Sequence, residues 1–171
     1  MTPTPADPIE LPEGQLAQLS AQAERAAISD LIDRYTVILD EQDKNGFDAT
    51  WVRSFFTEDC RLDFPIGGHR GLTGLAEFHH RAKQNFTATH HLSSNHMIGL
   101  DGDRADVRFQ MIAVHLHPPA VRERAPVDPG ELFKIGGYYA GETVRTPDGW
   151  RFSRWTFHVV WTDGVSPAEL S

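Results

Sequence analysis

Apolar residues recur at spacings of three and four from about Leu16 to Asp40. Ile28, Leu31, Ile32, Tyr35, Ile38 and Leu39 form one stripe, and Asp30, Asp33 and Arg34 fall off it. That period predicts a long helix with one buried face. Asn45-Gly46 should break it. Residues 48–56 read as a second, short helix that buries Trp51, Phe55 and Phe56. Cys60 to Phe64 alternates as a short strand, and Pro65, Gly67 and Gly68 turn the chain. Between Gly71 and Asn85 lies a third helix, with Leu75, Phe78 and Ala82 on one face and His79-His80 at its surface.

After residue 88 the period changes from 3.6 to 2. Thr89 to Leu100 reads as one strand, Asp101-Gly102-Asp103 as a hairpin turn, and Arg104 to His117 as the partner strand. Val107, Phe109, Met111 and Ala113 alternate along that partner. The proline-rich stretch 118–130 predicts a loop. Leu132 to Arg145 and Trp150 to Thr162 are two further long strands, joined by Thr146-Pro147-Asp148-Gly149. Helices first and then a meander of long strands predict an α+β fold rather than a doubly wound one. The expected architecture is a cone: a curved antiparallel or mixed sheet whose concave face is covered by the N-terminal helices.

The chain has 171 residues, which suits one domain. We place a disordered tail at residues 1–14, the domain at 15–163 and a loose tail at 164–171. A net charge of -8 and the lack of a basic stripe argue against nucleic acid as a partner. No apolar run reaches the roughly 20 residues of a membrane helix. Cys60 is the single cysteine, which excludes an internal disulfide and fits a reducing, cytoplasmic setting. The prominence of arginine over lysine points to a bacterial source. Trp155, Phe157, Val159 and Trp161 alternate with Thr156 and His158. We expect the aromatic set to lie on the outer sheet face and to be covered by a partner subunit, in a homodimer or else a trimer.

Four segments carry a family resemblance. They are Arg25-Ala26-Ala27-Ile28 leading to Asp40; Phe55-Phe56-Thr57-Glu58-Asp59-Cys60; Thr89-His90-His91 to Asn95 with Asp101-Gly102-Asp103-Arg104-Ala105; and Gly136-Gly137-Tyr138-Tyr139 to Asp148-Gly149-Trp150-Arg151. Together they resemble the SnoaL-like branch of the nuclear transport factor 2-like superfamily, which includes polyketide cyclases of secondary metabolism. Within it, Asp40 and His91 look like the acid–base pair of scytalone dehydratase and of hexachlorocyclohexane dehydrochlorinase. The pattern departs from both. Leu39 and Phe64 stand where the dehydratase has tyrosines, no second histidine is evident, and Tyr35 stands where the dehydrochlorinase has a lysine. The resemblance therefore implies a base and leaves the reaction open, because this fold hosts many activities.

The residues themselves support that base. A carboxylate bonded to an imidazole fixes its tautomer and orientation, the arrangement of a general base near neutral pH. Aspartate is unfavourable at a helix C-terminus, so Asp40 asks for a reason to be there. On its strand His91 shares a face with Ser93, Asn95 and Met97 if the alternation is read straight through. Tyr35, Asn95 and His115 are candidate hydrogen-bond donors to substrate, with Tyr35 also readable as core. Phe64, Met111 and Tyr139 are expected to line the pocket. His158 is open between cavity and core.

The expected function is a small-molecule lyase or isomerase: a dehydratase, cyclase or double-bond isomerase. It would act on an apolar ring compound of polyketide, terpenoid or steroid type and need no cofactor. The alternative from another class is a binding or assembly module of the same fold without chemistry. An Asp40–His91 separation beyond about 5 Å would favour the module. A third reading places a metal on His115 and His117, although three or more convergent ligands would be needed.

Overall fold

The computed structural model describes residues 12–41, 47–125 and 130–169. Helix α1 (Glu13–Glu41) is followed by α2 (Ala49–Phe55), β1 (Phe56–Phe64), β2 (Gly67–Arg70) and α3 (Leu75–Lys83). Then come β3 (Ala88–Asp101), β4 (Arg104–Leu116), α4 (Pro119–Arg124), β5 (Leu132–Thr146), β6 (Gly149–Asp163) and a 3₁₀ turn (Pro167–Glu169). The six strands form one curved, unclosed sheet in the order β2-β1-β6-β5-β4-β3. β1 runs parallel to β6, and every other pair is antiparallel. The α+β cone with its mixed sheet is the one the sequence predicts.

The concave side holds the core. The α1 stripe of Ile28, Leu31, Ile32 and Tyr35 meets Trp51, Val52 and Phe55 of α2, Leu75 and Phe78 of α3, and Val107, Phe109, Met111, Phe152 and Trp155 of the sheet. Phe109, Phe152 and Trp155 are fully buried, each large aromatic contributing about 1.5–3 kcal/mol by area alone. α2 starts where the Asp48 carboxylate accepts from the Trp51 amide at 2.7 Å, a cap worth about 1 kcal/mol.

α1 lies antiparallel over β3. Arg25 Nε donates to the Ile98 carbonyl at 3.4 Å, Ser93 Oγ donates to Asp33 at 2.8 Å, and Asp40 reaches His91. Its first half is pinned to the far end of the sheet. There Glu24 accepts from Trp150 Nε1 at 2.8 Å and pairs with Arg145 at 2.7 Å.

Several expectations are corrected here. Trp155 and Phe157 face inward, because β6 is a central strand and its aromatics fill the core against Phe109 and Tyr139. The outer face instead carries Thr156 and His158, and His158 stacks on Tyr138 at 4.7 Å. His79 is buried, not at the surface. Residues 67–70 form a short strand rather than a turn, and the loop after Pro118 contains α4. α1 begins at Glu13, inside the stretch given to the tail. Val165, within the stretch given to the second tail, accepts at its carbonyl from His117 Nε2 at 2.9 Å. Asn45-Gly46 lies outside the described residues, as do residues 1–11.

β3 departs most. Ser94 pairs with Gln110 and Met97 with Arg108, so one extra residue is absorbed between them. Before this bulge the odd positions face inward (His91, Ser93). After it the even positions do (Ile98, Leu100). Asn95 takes the left-handed conformation, φ 56°, which asparagine tolerates better than most residues. Its side chain is exposed and Met97 is 63 % exposed, so neither shares the inner face of His91.

Candidate active site

Asp40 and His91 meet. His91 Nδ1 donates to Asp40 Oδ1 at 2.6 Å, since a carboxylate only accepts. The His91 backbone amide donates to Asp40 Oδ2 at 2.7 Å, and the Thr89 hydroxyl donates to Oδ1 at 2.9 Å. Three bonds from two residues of one strand fix the carboxylate. With Nδ1 committed as donor, Nε2 carries the lone pair, and it has no hydrogen-bond partner among the described residues. Both side chains are mostly buried, at 13 % exposure for His91 and 19 % for Asp40. Partial burial pushes the Asp40 carboxyl up. The bonds from the His91 side chain and backbone and from Thr89 outweigh it and hold the carboxyl below its ordinary value.

The reason for an aspartate at this helix end is Lys83, which the sequence reading did not single out. α1 has no basic residue in its last turn. The Lys83 ammonium, from the end of α3, donates to the Leu39 carbonyl at 2.9 Å, the Asp40 carbonyl at 3.1 Å and Thr89 Oγ1 at 2.7 Å. It satisfies two of the orphan carbonyls of α1 and offsets the negative end of the helix dipole. Thr89 relays the contact to Asp40. Burial lowers the Lys83 pKa, with the Asp40 charge opposing that shift.

His115 stands edge-on to His91, ring centres 5.6 Å apart. Burial, and then the nearby His91, lower its pKa to about 4, so it is neutral at pH 7. Its Nδ1 donates to the Phe133 carbonyl at 3.2 Å, which leaves no N–H for a substrate. Phe86 and Phe133 flank its ring.

Tyr35 and His79 form a separate pair deeper in the core, 3.0 Å apart. His79 Nδ1 donates to the Leu75 carbonyl at 2.9 Å, so Nε2 accepts and the Tyr35 hydroxyl is the donor. Burial lowers His79 to about 4 and pushes the Tyr35 phenol far up. Tyr35 is therefore core, and its proton is not available to a ligand. His96, also missed, turns inward just after Asn95. Its Nε2 lies 3.3 Å from Ser93 Oγ and 3.6 Å from Asp33, and its ring packs on Phe109.

Phe64, Met111 and Tyr139 belong to the packing on the concave side. Tyr139 packs against Phe64, Phe109, Trp155 and Phe157. Met111 is buried in the row next to Ser93. His115 and His117 each spend a ring nitrogen on a backbone carbonyl. No group of three or more histidine, cysteine or acidic side chains converges among the described residues. Cys60 is fully buried, and burial raises its thiol to about 11. Among the described residues no helix is long and apolar enough to cross a membrane.

Residues 20–156 match the model of the SnoaL-like domain. The chain belongs to the SnoaL-like family. Its fold is that of the nuclear transport factor 2-like superfamily. A Kribbella flavida protein is 28 % identical, with a TM-score of 0.73 over 88 % of this chain and 97 % of that one. A candidate scytalone dehydratase from Novosphingobium aromaticivorans is 20 % identical, with a TM-score of 0.72 over 87 % of this chain and 92 % of the other. A hexachlorocyclohexane dehydrochlorinase is 17 % identical, with a TM-score of 0.70 over 88 % and 94 %. The last two show likeness of fold. Structural relatives of this family member thus include proteins named as a dehydratase and as a dehydrochlorinase.

Proposed function

We propose that this protein is a lyase or isomerase acting on a largely apolar ring compound, with His91 as the general base and Asp40 as the residue that orients it. The single observation that carries this reading is the 2.6 Å contact of His91 Nδ1 with Asp40 Oδ1. It leaves Nε2 without a hydrogen-bond partner among the described residues, in a mostly buried site. Such an imidazole takes a proton from an acidic carbon or hydroxyl. Asp40, held by three hydrogen bonds, stabilises the imidazolium that results, in the manner of the aspartate of a hydrolytic triad. Elimination, double-bond migration or ring closure follows according to what the substrate carries. The names of the fold relatives support elimination as the first reaction to try. The alternative of a binding module without chemistry predicts a dyad that is apart or bonded only to backbone, and the contact counts against it.

The test is a screen of ring ketones and β-hydroxy ketones for turnover or for exchange of the acidic proton into heavy water. His91→Ala and Asp40→Asn should each lower the rate by about 10²–10⁴ while circular dichroism stays unchanged. If both variants keep full turnover, the dyad is not the base.

Assembly is part of the same proposal. On the outer sheet face Leu92 is 54 %, Met97 63 % and Ile112 43 % exposed. That is an apolar area that a second copy would cover. Sedimentation at micromolar concentration should give a homodimer; a monomer would count against it.

A further inference from the structure

The sheet carries a second polar feature, at the opposite edge from β3 and on its outer face. Cys60 and Leu62 of β1 are buried in the core, so Arg61 and Asp63 point outward. Register then sets three arginines side by side. Arg61 pairs with Arg70 of β2 and with Arg154 of β6, and the row crosses three neighbouring strands. At about 4.8 Å between strands it spans about 10 Å. Like charges directly opposite one another destabilise a sheet.

Little on the protein offsets them. Arg154 lies 3.6 Å from Glu142, a carboxylate that Arg104 already holds at 2.7 Å. The side chains of Arg61 and Arg70 make no hydrogen bond or ion pair among the described residues. One pleat further along, Asp63 stands between Gly68 and Thr156. Gly68 brings no side chain to that row. The space over the two rows is a groove of about 550 Å³, lined by Arg61, Asp63, Arg70, Arg154 and Thr156 among others. The chain as a whole carries a net charge of -8, so a long polyanion meets repulsion over most of the surface. A small ion in the groove responds mainly to charges within a Debye length, about 8 Å at physiological salt. There the guanidinium groups prevail.

We propose that the Arg70–Arg61–Arg154 row binds a small phosphate-type dianion, either free phosphate or the phosphoryl group of a monoester. Guanidinium forks match phosphate oxygens two at a time, and the Thr156 hydroxyl supplies a further donor at the edge of the row. Asp63, about 7 Å along β1 from Arg61, repels a second charged group and confines the site to one anionic head. The anion relieves the repulsion that the empty row carries. This site is separate from His91 and does not depend on its chemistry.

Isothermal titration calorimetry at about 20 mM salt, where screening is weak, tests the site with inorganic phosphate and with glucose 6-phosphate. The wild type should bind at least one of them with a Kd on the order of 1 mM or tighter. Equal affinities identify free phosphate as the ligand, and a tighter sugar phosphate identifies a monoester. Arg61→Gln, at the centre of the row, should weaken binding by at least about tenfold. Arg81→Gln, at an exposed position on α3, should leave it unchanged. Without ligand, Arg61→Gln should melt at or above the wild-type temperature, since a like-charge contact is removed. A wild type that binds neither compound, unchanged affinity in Arg61→Gln, or a marked drop in its ligand-free melting temperature overturns the proposal.

Discussion

Helix α1 holds two histidines through residues five positions apart, His79 through Tyr35 and His91 through Asp40. The two pairs have little else in common. His79 is 5 % exposed, ringed by Phe47, Trp51, Phe56 and Phe78, and both its nitrogens are bonded. His91 has one nitrogen bonded to a charge and the other without a partner among the described residues. The first pair is a neutral hydrogen bond whose work is to satisfy two polar groups inside an aromatic core. The second is a polarised arrangement at the rim of that core. A histidine's role is thus set by what remains unbonded on its ring, and burial decides how much that is.

Variants should separate the pairs cleanly. The largest stability effect is expected for His79→Ala, which empties a core site and orphans the Tyr35 hydroxyl. It should cost about 3 kcal/mol, a melting-temperature drop of roughly 6–12 °C. His91→Ala should cost less than half of that while removing turnover. If the two variants melt alike, the contrast between core pair and site pair is wrong.

Acid should act on the pairs in different windows. His79 has a folded pKa of about 4, below the unfolded value of about 6.5. The unfolded chain therefore takes up the proton first. The stability from keeping this histidine neutral is full above about pH 6.5 and is lost as pH falls toward 4, on the order of 3 kcal/mol in all. His115, also lowered to about 4, adds to the same window. The Asp40 carboxyl lies below its ordinary value. Its contribution is present above the unfolded value of about 3.9 and is lost only as pH falls through the lower folded one. Urea midpoints at pH 7, 5.5 and 4.5 should decline progressively, and His79→Ala should flatten the decline in part. An unchanged slope in that variant would show that His79 is not the titrating group. Tyr35→Phe probes the core pair from its other side. It strands His79 Nε2 without its donor and should cost about 1–3 kcal/mol, read from the same urea curves, with turnover kept.

Much of this was legible in the chain. The dyad could be read because both members sit at positions that periodicity defines, the end of a helix and the start of a strand. The cone followed from the change of period after residue 88. His79 could have been found: Leu75, His79 and Lys83 stand at i, i+4 and i+8 and therefore share a row on α3. That row carries one core contact, the neutral pair and the cap of α1. Reading the stripe as Leu75, Phe78 and Ala82 hid it. The bulge left no comparable trace. Asn95 is polar between polar neighbours, and a period of two gives no sign that one residue has been counted twice. Read straight through, the strand sends Met97 inward and leaves His96 outside, the reverse of what is found. The outer face of β6 was misjudged for a related reason. Alternation tells which residues lie together but not which side of a sheet they are on.

The bulge at Asn95 also bears on how this strand could change. It works as a frame correction: the chain holds one residue more than its neighbour β4 can match, and the surplus is discharged at a single point. Everything upstream serves the dyad, and everything downstream serves the core under α1. Deleting a residue from a strand is ordinarily among the harshest edits, because each later side chain changes sides. Here the deletion of Asn95 would merely restore the count, with His91 and Ile98 both still facing inward. A β-branched residue at that point, forced to hold the left-handed backbone, would be the harsher change. The two halves of β3 are in effect separate words joined by a spacer, free to drift apart in sequence without spoiling each other's meaning.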